Sequence, residues 1–198
     1  SENIWTYKKA MTPEKLPKSI VVIGSGAIGI EFASFYRNLG VEVSVVEMAP
    51  NILPAEDEEI SKLARKDFEK QGIKFHTQTA LKKISDKKSQ VEIIAENNGK
   101  EIKLSAQKAI IAIGISPNIE NIGLEKTKIQ KDERGFIKTD EFLKTAEDNI
   151  YAIGDIIAGP WLAHKASHEG VIAVEKIAQK LGKYTGHIKP IIKENIPG

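Results

Sequence analysis

Four β-branched residues, Ile20-Val21-Val22-Ile23, run straight into Gly24-Ser25-Gly26-Ala27-Ile28-Gly29. A second apolar run, residues 41–46, ends at Glu47. Few folds accommodate this order. A short β-branched run reads as a buried strand. Gly24 lets the chain turn sharply out of that strand, where a Cβ would clash, and Gly29 lets the next helix lie close to it. Phe32, Phe35 and Leu39 continue at helical spacing until Gly40 stops the run. The spacing predicts strand, glycine turn, helix, strand and acid in succession. That is the opening of a Rossmann-like parallel sheet of the α/β class.

The same residues point to a ligand chemistry. A helix starting near Ala27 presents unpaired N–H groups and the positive end of its dipole, both of which attract phosphate. Gly26 leaves room for a pyrophosphate to approach the backbone. Glu47 follows Gly29 by 18 residues, about the spacing at which an acid ending the second strand meets a ribose. A carboxylate accepts from both ribose hydroxyls and repels a 2′-phosphate. No arginine follows it; Met48, Ala49 and Pro50 come next. The expectation is NAD(H), not NADP(H). Two alternatives stay open on these residues: a glycine turn that only tightens strand–helix packing, or the same fold holding FAD or S-adenosylmethionine.

The chain has 198 residues, enough for one large or two small domains, and 41% are hydrophobic, enough for a core. With 29 basic and 27 acidic residues the net charge is +2, which argues against an extended nucleic-acid surface. The absence of cysteine removes disulfides, thiolate metal sites and cysteine nucleophiles from this chain. No apolar run approaches the roughly 20 residues that span a bilayer. Residues 1–9 are polar and do not resemble a signal peptide. A soluble, cytoplasmic protein is expected.

Along the chain, Pro13 and Pro17 argue against a regular helix in residues 1–18. Residues 56–71 read as a helix with Ile60, Leu63, Ala64 and Phe68 on one face, and the acids at its start suit the dipole better than a metal. Residues 73–76 form a short third strand. Residues 80–84, 90–95 and 101–104 then predict an antiparallel three-stranded meander inserted between parallel strands, with Asn98-Gly99 as a hairpin turn. Residues 108–113 read as a buried strand closing at Gly114. Further strands are expected at 136–139 and 149–153, and a helix at 162–181 with Ala166, Gly170, Val171, Ala173, Val174 and Ile177 on its apolar face. His164 and His168 stand i, i+4, but no third ligand is near in sequence, so no metal site is expected.

Three strings carry a resemblance. Val22 to Glu31, then Ala112-Ile113-Gly114 with Pro117-Asn118, then Asn149-Ile150-Tyr151-Ala152-Ile153-Gly154-Asp155, in this order, resemble the flavin-dependent pyridine nucleotide–disulfide oxidoreductases. The string Ala158-Gly159-Pro160-Trp161-Leu162-Ala163-His164-Lys165-Ala166 is similar to the dihydrolipoamide dehydrogenase group within them. The resemblance implies an FAD/NAD(P)-binding fold. It makes residues 1–117 an NAD-binding domain, 118–190 the C-terminal half of an FAD-binding domain, and 191–198 a linker to a missing dimerisation domain. It implies that this is the middle of a larger, homodimeric enzyme. That enzyme would oxidise dihydrolipoamide carried on the lipoyl domain of a 2-oxoacid dehydrogenase complex and pass hydride through FAD to NAD⁺.

By the same resemblance Gly24, Ser25, Gly26, Ala27, Ile28, Gly29, Ile30 and Glu31 hold the NAD pyrophosphate, with Glu31 also near the nicotinamide–flavin contact. Glu47 holds the ribose, Leu81 the adenine, and Gly114 approaches the nicotinamide side. Asp155 binds the ribose–phosphate region of FAD, and Trp161, Leu162, Ala163 and His164 line its ring. Trp161 departs from the smaller apolar residue usual in that family. No catalytic residue is expected in the chain. The alternatives are another disulfide oxidoreductase, of mercuric or glutathione reductase type, and a non-catalytic NAD-sensing module. From Asn118 onward, exposed apolar surface is expected.

Overall fold

A computed structural model of the chain describes residues 1–192, 196 and 197. Half of the expected linker at 191–198, namely 193–195 and 198, therefore lies outside the described residues. In chain order the strands are β1 (Ile4–Trp5), β2 (Ser19–Ile23), β3 (Glu42–Val46), β4 (Lys74–His76), β5 (Thr79–Asp86), β6 (Val91–Asn97), β7 (Lys100–Ala106) and β8 (Lys108–Ile111). The helices are α1 (Tyr7–Met11), α2 (Ala27–Asn38), α3 (Glu58–Lys70) and α4 (Ala163–Lys180). Two units divide the chain, Ser1–Gly114 and Ile115–Gly198.

In the first unit β1-β8-β2-β3-β4 form a wholly parallel sheet. β5-β6-β7 form the antiparallel meander inserted between β4 and β8. The two-residue period of a strand distributes the core. Ile20 and Val22 point to one face, where Trp5, Ala10, Ala33 and Tyr36 cover them. Val21 and Ile23 point to the other, where Val91, Ile93 and Ala95 of the meander cover them. β2 is thus buried on both sides, which is why its sequence is continuously apolar rather than alternating. β6, the central strand of the meander, has the core against one face only, so Val91, Ile93 and Ala95 are buried while Glu92 and Glu96 are exposed. Asn98 and Gly99 both have positive φ (48° and 77°), as a tight primed hairpin turn requires.

α1 contradicts the expectation for residues 1–18. Pro13 and Pro17 both lie beyond Met11, so neither interrupts the turn that seats Ala10 in the core. Tyr36 of α2 fixes it there by donating its hydroxyl to the Ala10 carbonyl at 2.5 Å. In α3, Asp57 caps the N-terminus by accepting from the Glu59 and Ile60 N–H groups. Its expected apolar face is only partly covered: Ile60 and Leu63 are exposed, Ala64 and Phe68 half-buried.

In the second unit α4 packs Ala173 against Ile137, Leu143, Ala152 and Ile157. The strands expected at 136–139 and 149–153 are isolated bridges instead, Ile137 to Lys131 and Ile157, and Tyr151 to Lys144. No neighbouring run of sufficient length pairs with them, so side-chain caps hold the segment. Asp132 accepts from the Arg134 and Phe136 N–H groups, and Asp140 from those of Phe142 and Lys144. Of the apolar positions on α4, Ala173 is buried while Val171, Val174 and Ile177 are exposed, in line with the uncovered apolar surface expected from Asn118 onward, and Lys165 and Glu169 share the buried face. Among the described residues no helix is long and apolar enough to cross a membrane.

Candidate functional site

The carboxyl ends of β2, β3 and β8 converge on the start of α2. Gly24, with φ +100°, donates its N–H to the Val46 carbonyl, so the turn is stitched to β3 as it leaves β2. A Cβ at Gly24 would overlap the Ala112 carbonyl oxygen, and one at Gly29 would overlap the Gly24 carbonyl oxygen. These two glycines are structural necessities. Gly26 is different. Its φ is −65°, and a Cβ there would meet no heavy atom within 4 Å. The space beside it is open, as the approach of a phosphate demands.

That space belongs to a cleft of about 640 Å³. Gly24, Ser25, Gly26, Ala27, Ile28, Glu47, Leu81 and Gly114 line it, so one cavity gathers residues spread over ninety positions of sequence. The strand ends Ile23 and Val46 also border it, as do Met48, Pro54, Thr79, Ala80, Ala112 and Ile113. None of these was among the expected site residues. Thr79 and Ala80 adjoin Leu81, and Thr79 is brought to the cleft by donating its N–H to the Glu47 carbonyl, while β5 shifts register just beyond, between Leu81 and Lys83. Such a backbone contact leaves no clear mark in sequence.

Glu47 closes the cleft from β3 and is already engaged. Its Oε2 accepts the Ser25 N–H at 2.8 Å and the Ser25 hydroxyl at 2.7 Å, and its Oε1 accepts the Ala49 N–H at 2.7 Å. The Glu47 backbone is held by the His76 carbonyl and the Thr79 N–H. Burial, with a smaller contribution from the Lys74 charge, lowers the His76 pKa below its usual 6.5. Leu53 donates its N–H to the Ser25 carbonyl, folding the loop after β3 back onto the glycine turn.

Three expected site residues stand outside this lining. Gly29 packs beneath the turn against Gly24, and Ile30 is buried in the core, because the helical period carries both away from the cleft. Glu31 points into a neighbouring groove with Tyr7, Met11, Phe32 and Phe35; Ile28 borders both cavities.

In the second unit, Asp155 is exposed on a 3-10 turn, Gly154–Ile156, and lines no described cavity. Sequence reasoning missed what holds that turn. Lys165 and Glu169, one turn apart on α4, form an ion pair at 3.0 Å with side chains only 3% and 5% exposed. Glu169 accepts the Gly154 N–H at 2.7 Å, and Lys165 donates to the Gly154 carbonyl at 3.3 Å. The pair grips both polar groups of one peptide residue. Gly159 lies so close to the Lys165 stem that a Cβ there would crowd it at 2.9 Å. In sequence, Lys-x-x-x-Glu looks like a surface pair, in the less favourable order for a helix.

Trp161 is half-buried and meets Phe136 edge-on at 6.4 Å. Its indole N–H is buried and has no hydrogen-bond partner among the described residues. Leu162 precedes α4 as its cap and Ala163 begins it, exposed. His164 lies in a second, apolar cavity of about 420 Å³ and hydrogen-bonds the Pro197 carbonyl at 2.9 Å.

Comparison with known proteins adds the following. Residues 2–170 match the family model described as pyridine nucleotide-disulphide oxidoreductase. A dihydrolipoyl dehydrogenase of Zymomonas mobilis is 50% identical over 198 residues, covering all of this chain and 41% of that protein. One from Rhizobium etli is 47% identical over 196 residues, covering 98% and 40%. Among solved structures, LpdA from Mycobacterium tuberculosis aligns with a TM-score of 0.82 at 28% identity, over 96% of this chain and 40% of that one. The HOCl-induced flavoprotein disulfide reductase RclA from Escherichia coli aligns with a TM-score of 0.82 at 26% identity, over 94% and 41%. The chain spans about 40% of the length of the curated relatives it matches.

Proposed function

We propose, from the premise that this chain belongs to the pyridine nucleotide-disulphide oxidoreductase family, that it is the NAD(H)-binding portion of a dihydrolipoamide dehydrogenase together with part of its FAD site. The observation that carries this reading is the single cleft in which an open glycine turn, a helix start and the Glu47 carboxylate face one another. In it Gly24, Ser25, Gly26, Ala27 and Ile28 receive the pyrophosphate, with Gly29 setting the turn beneath them. Glu47 receives the adenosine ribose, Leu81 the adenine, and Gly114 the nicotinamide side. Ile30 supports the helix from the core. Glu31, in the groove that shares Ile28 with the cleft, orients the ring.

Residues 1–117 are the NAD-binding domain in this reading, 118–190 half of an FAD-binding domain and 191–198 a linker. The fit to FAD rests on the orphaned Trp161 indole N–H, which lacks an acceptor, and on the Gly154-Asp155 turn, which is locked with Asp155 turned outward. Asp155 binds the flavin cofactor's ribose–phosphate region, and Trp161, Leu162, Ala163 and His164 flank its ring. When bound, FAD supplies the two-electron relay by which dihydrolipoamide oxidation ends in hydride transfer to NAD⁺. This chain's residues bind and orient; none of them is assigned a proton-transfer step. The partner is dihydrolipoamide on a lipoyl domain of a 2-oxoacid dehydrogenase complex, met by a homodimer in the cytoplasm.

The test is a pair of titrations followed by nicotinamide fluorescence. NADH should bind at least about tenfold tighter than NADPH, because the Glu47 carboxylate repels a 2′-phosphate. Glu47→Gln should shrink that ratio. Equal or tighter NADPH binding by the unaltered chain contradicts the reading.

A further inference from the structure

The Glu47 carboxylate is nearly full before any ligand arrives. A carboxylate offers about four lone-pair positions. Oε2 uses both of its own on Ser25, one for the N–H at 2.8 Å and one for the hydroxyl at 2.7 Å. Oε1 uses one on the Ala49 N–H at 2.7 Å. One position remains, yet a ribose diol brings two donors. Of the three existing donors, two are backbone groups fixed by the turn and by the end of β3. The third, the Ser25 hydroxyl, rotates freely about one bond. Ser25 is fully buried, and among the described residues its hydroxyl has no other partner than Glu47.

We infer that the Ser25 hydroxyl is an internal stand-in for one ribose hydroxyl: it occupies half of the acceptor on Glu47 and must turn away before a diol binds with both hydroxyls. Ser25 therefore sets affinity for the adenosine ribose by competing with it. This rests on Glu47 being the ribose acceptor of the NAD(H) site proposed above. The competition has a definite sign. A serine that merely contacted ligand or supported the loop would make binding weaker when removed; a competitor makes binding tighter when removed.

The experiment uses the whole 198-residue chain and two probes, NADH and its adenosine 2′-deoxy analogue. Ser25→Ala should bind NADH about threefold to tenfold tighter than the unaltered chain, the return from a hydrogen bond to a charged acceptor that no longer has to be broken. The 2′-deoxy analogue brings one donor, which the free lone pair accepts, so its affinity should gain several-fold less than that of NADH. Ser25→Cys keeps the size with a weaker donor and should gain less than Ser25→Ala in the same direction. Unchanged or weaker NADH binding by Ser25→Ala overturns the inference. So does an equal gain for NADH and the deoxy analogue. Should the unaltered chain fail to bind NADH at all, it is the functional reading that falls.

Discussion

Two glycines that look alike in sequence do different work. A Cβ at Gly29 would collide with the Gly24 carbonyl, and a backbone oxygen cannot swing aside as a side chain can. Gly29→Ala should cost about 2 kcal/mol or more in urea unfolding. A Cβ at Gly26 would collide with nothing in the chain and would fill only the space offered to phosphate. Gly26→Ala should leave the unfolding midpoint within the small loss expected of an N-cap change and lower NADH affinity about tenfold or more. A large stability loss at Gly26, or full binding at unaltered affinity, contradicts that division. Both steric roles were legible because they are local: Gly24, Gly26 and Gly29 act on neighbours within the motif itself. The tethering of Glu47 by Ser25 was not, since its spacing to the turn gives a distance in sequence and not a hydrogen-bond partner.

At the scale of elements, side-chain clamps explain what periodicity did not. β1 is a two-residue strand, too short to announce itself. It is held by Asn3, which is buried and donates to both Asp86 oxygens at the end of β5. Those hydrogen bonds, chiefly from the Asn3 side chain and then from Ser1, lower the Asp86 pKa from the usual 3.8 to about 2. A lowered carboxylate pKa means stability present above pH 3.8 and lost as pH falls through about 2. The Asn3 amide proton should therefore titrate with a midpoint near 2 by NMR, and Asp86→Asn should abolish that titration; a midpoint near 3.8 contradicts the contact.

α4 makes the same point more strongly. Its apolar period is plain in sequence, yet the buried face also carries the Lys165–Glu169 pair. Removing one member leaves the other charged and enclosed, so Lys165→Met should destabilise the second unit by about 3–5 kcal/mol. Replacing both residues by apolar ones of similar volume should recover much of it. A loss below about 1 kcal/mol in Lys165→Met would mean the pair is not enclosed.

For the molecule as a whole, the two units differ in how far sequence dictated them. In Ser1–Gly114 each strand has a neighbour to pair with and a core on at least one face, so the alternation and glycine signals located β2 to β8 and the inserted meander. In Ile115–Gly198 caps and single bridges replace ladders, and Ile122, Val171, Val174 and Leu181 are each more than half exposed. A surface of that kind is covered by something in a working protein, and the chain matches only about 40% of its relatives' length. Periodicity placed α4 but not its buried ion pair, because a helix stripe shows which residues are apolar, not which side the rest of the protein occupies.

The most direct measurement is a crystal structure of the chain soaked with NAD⁺. The diphosphate should lie over the backbone at Gly24–Ala27, with the adenosine ribose against Glu47 and the adenine beside Leu81. NAD⁺ bound in another cavity, or that cleft left empty at saturating coenzyme, would contradict the account.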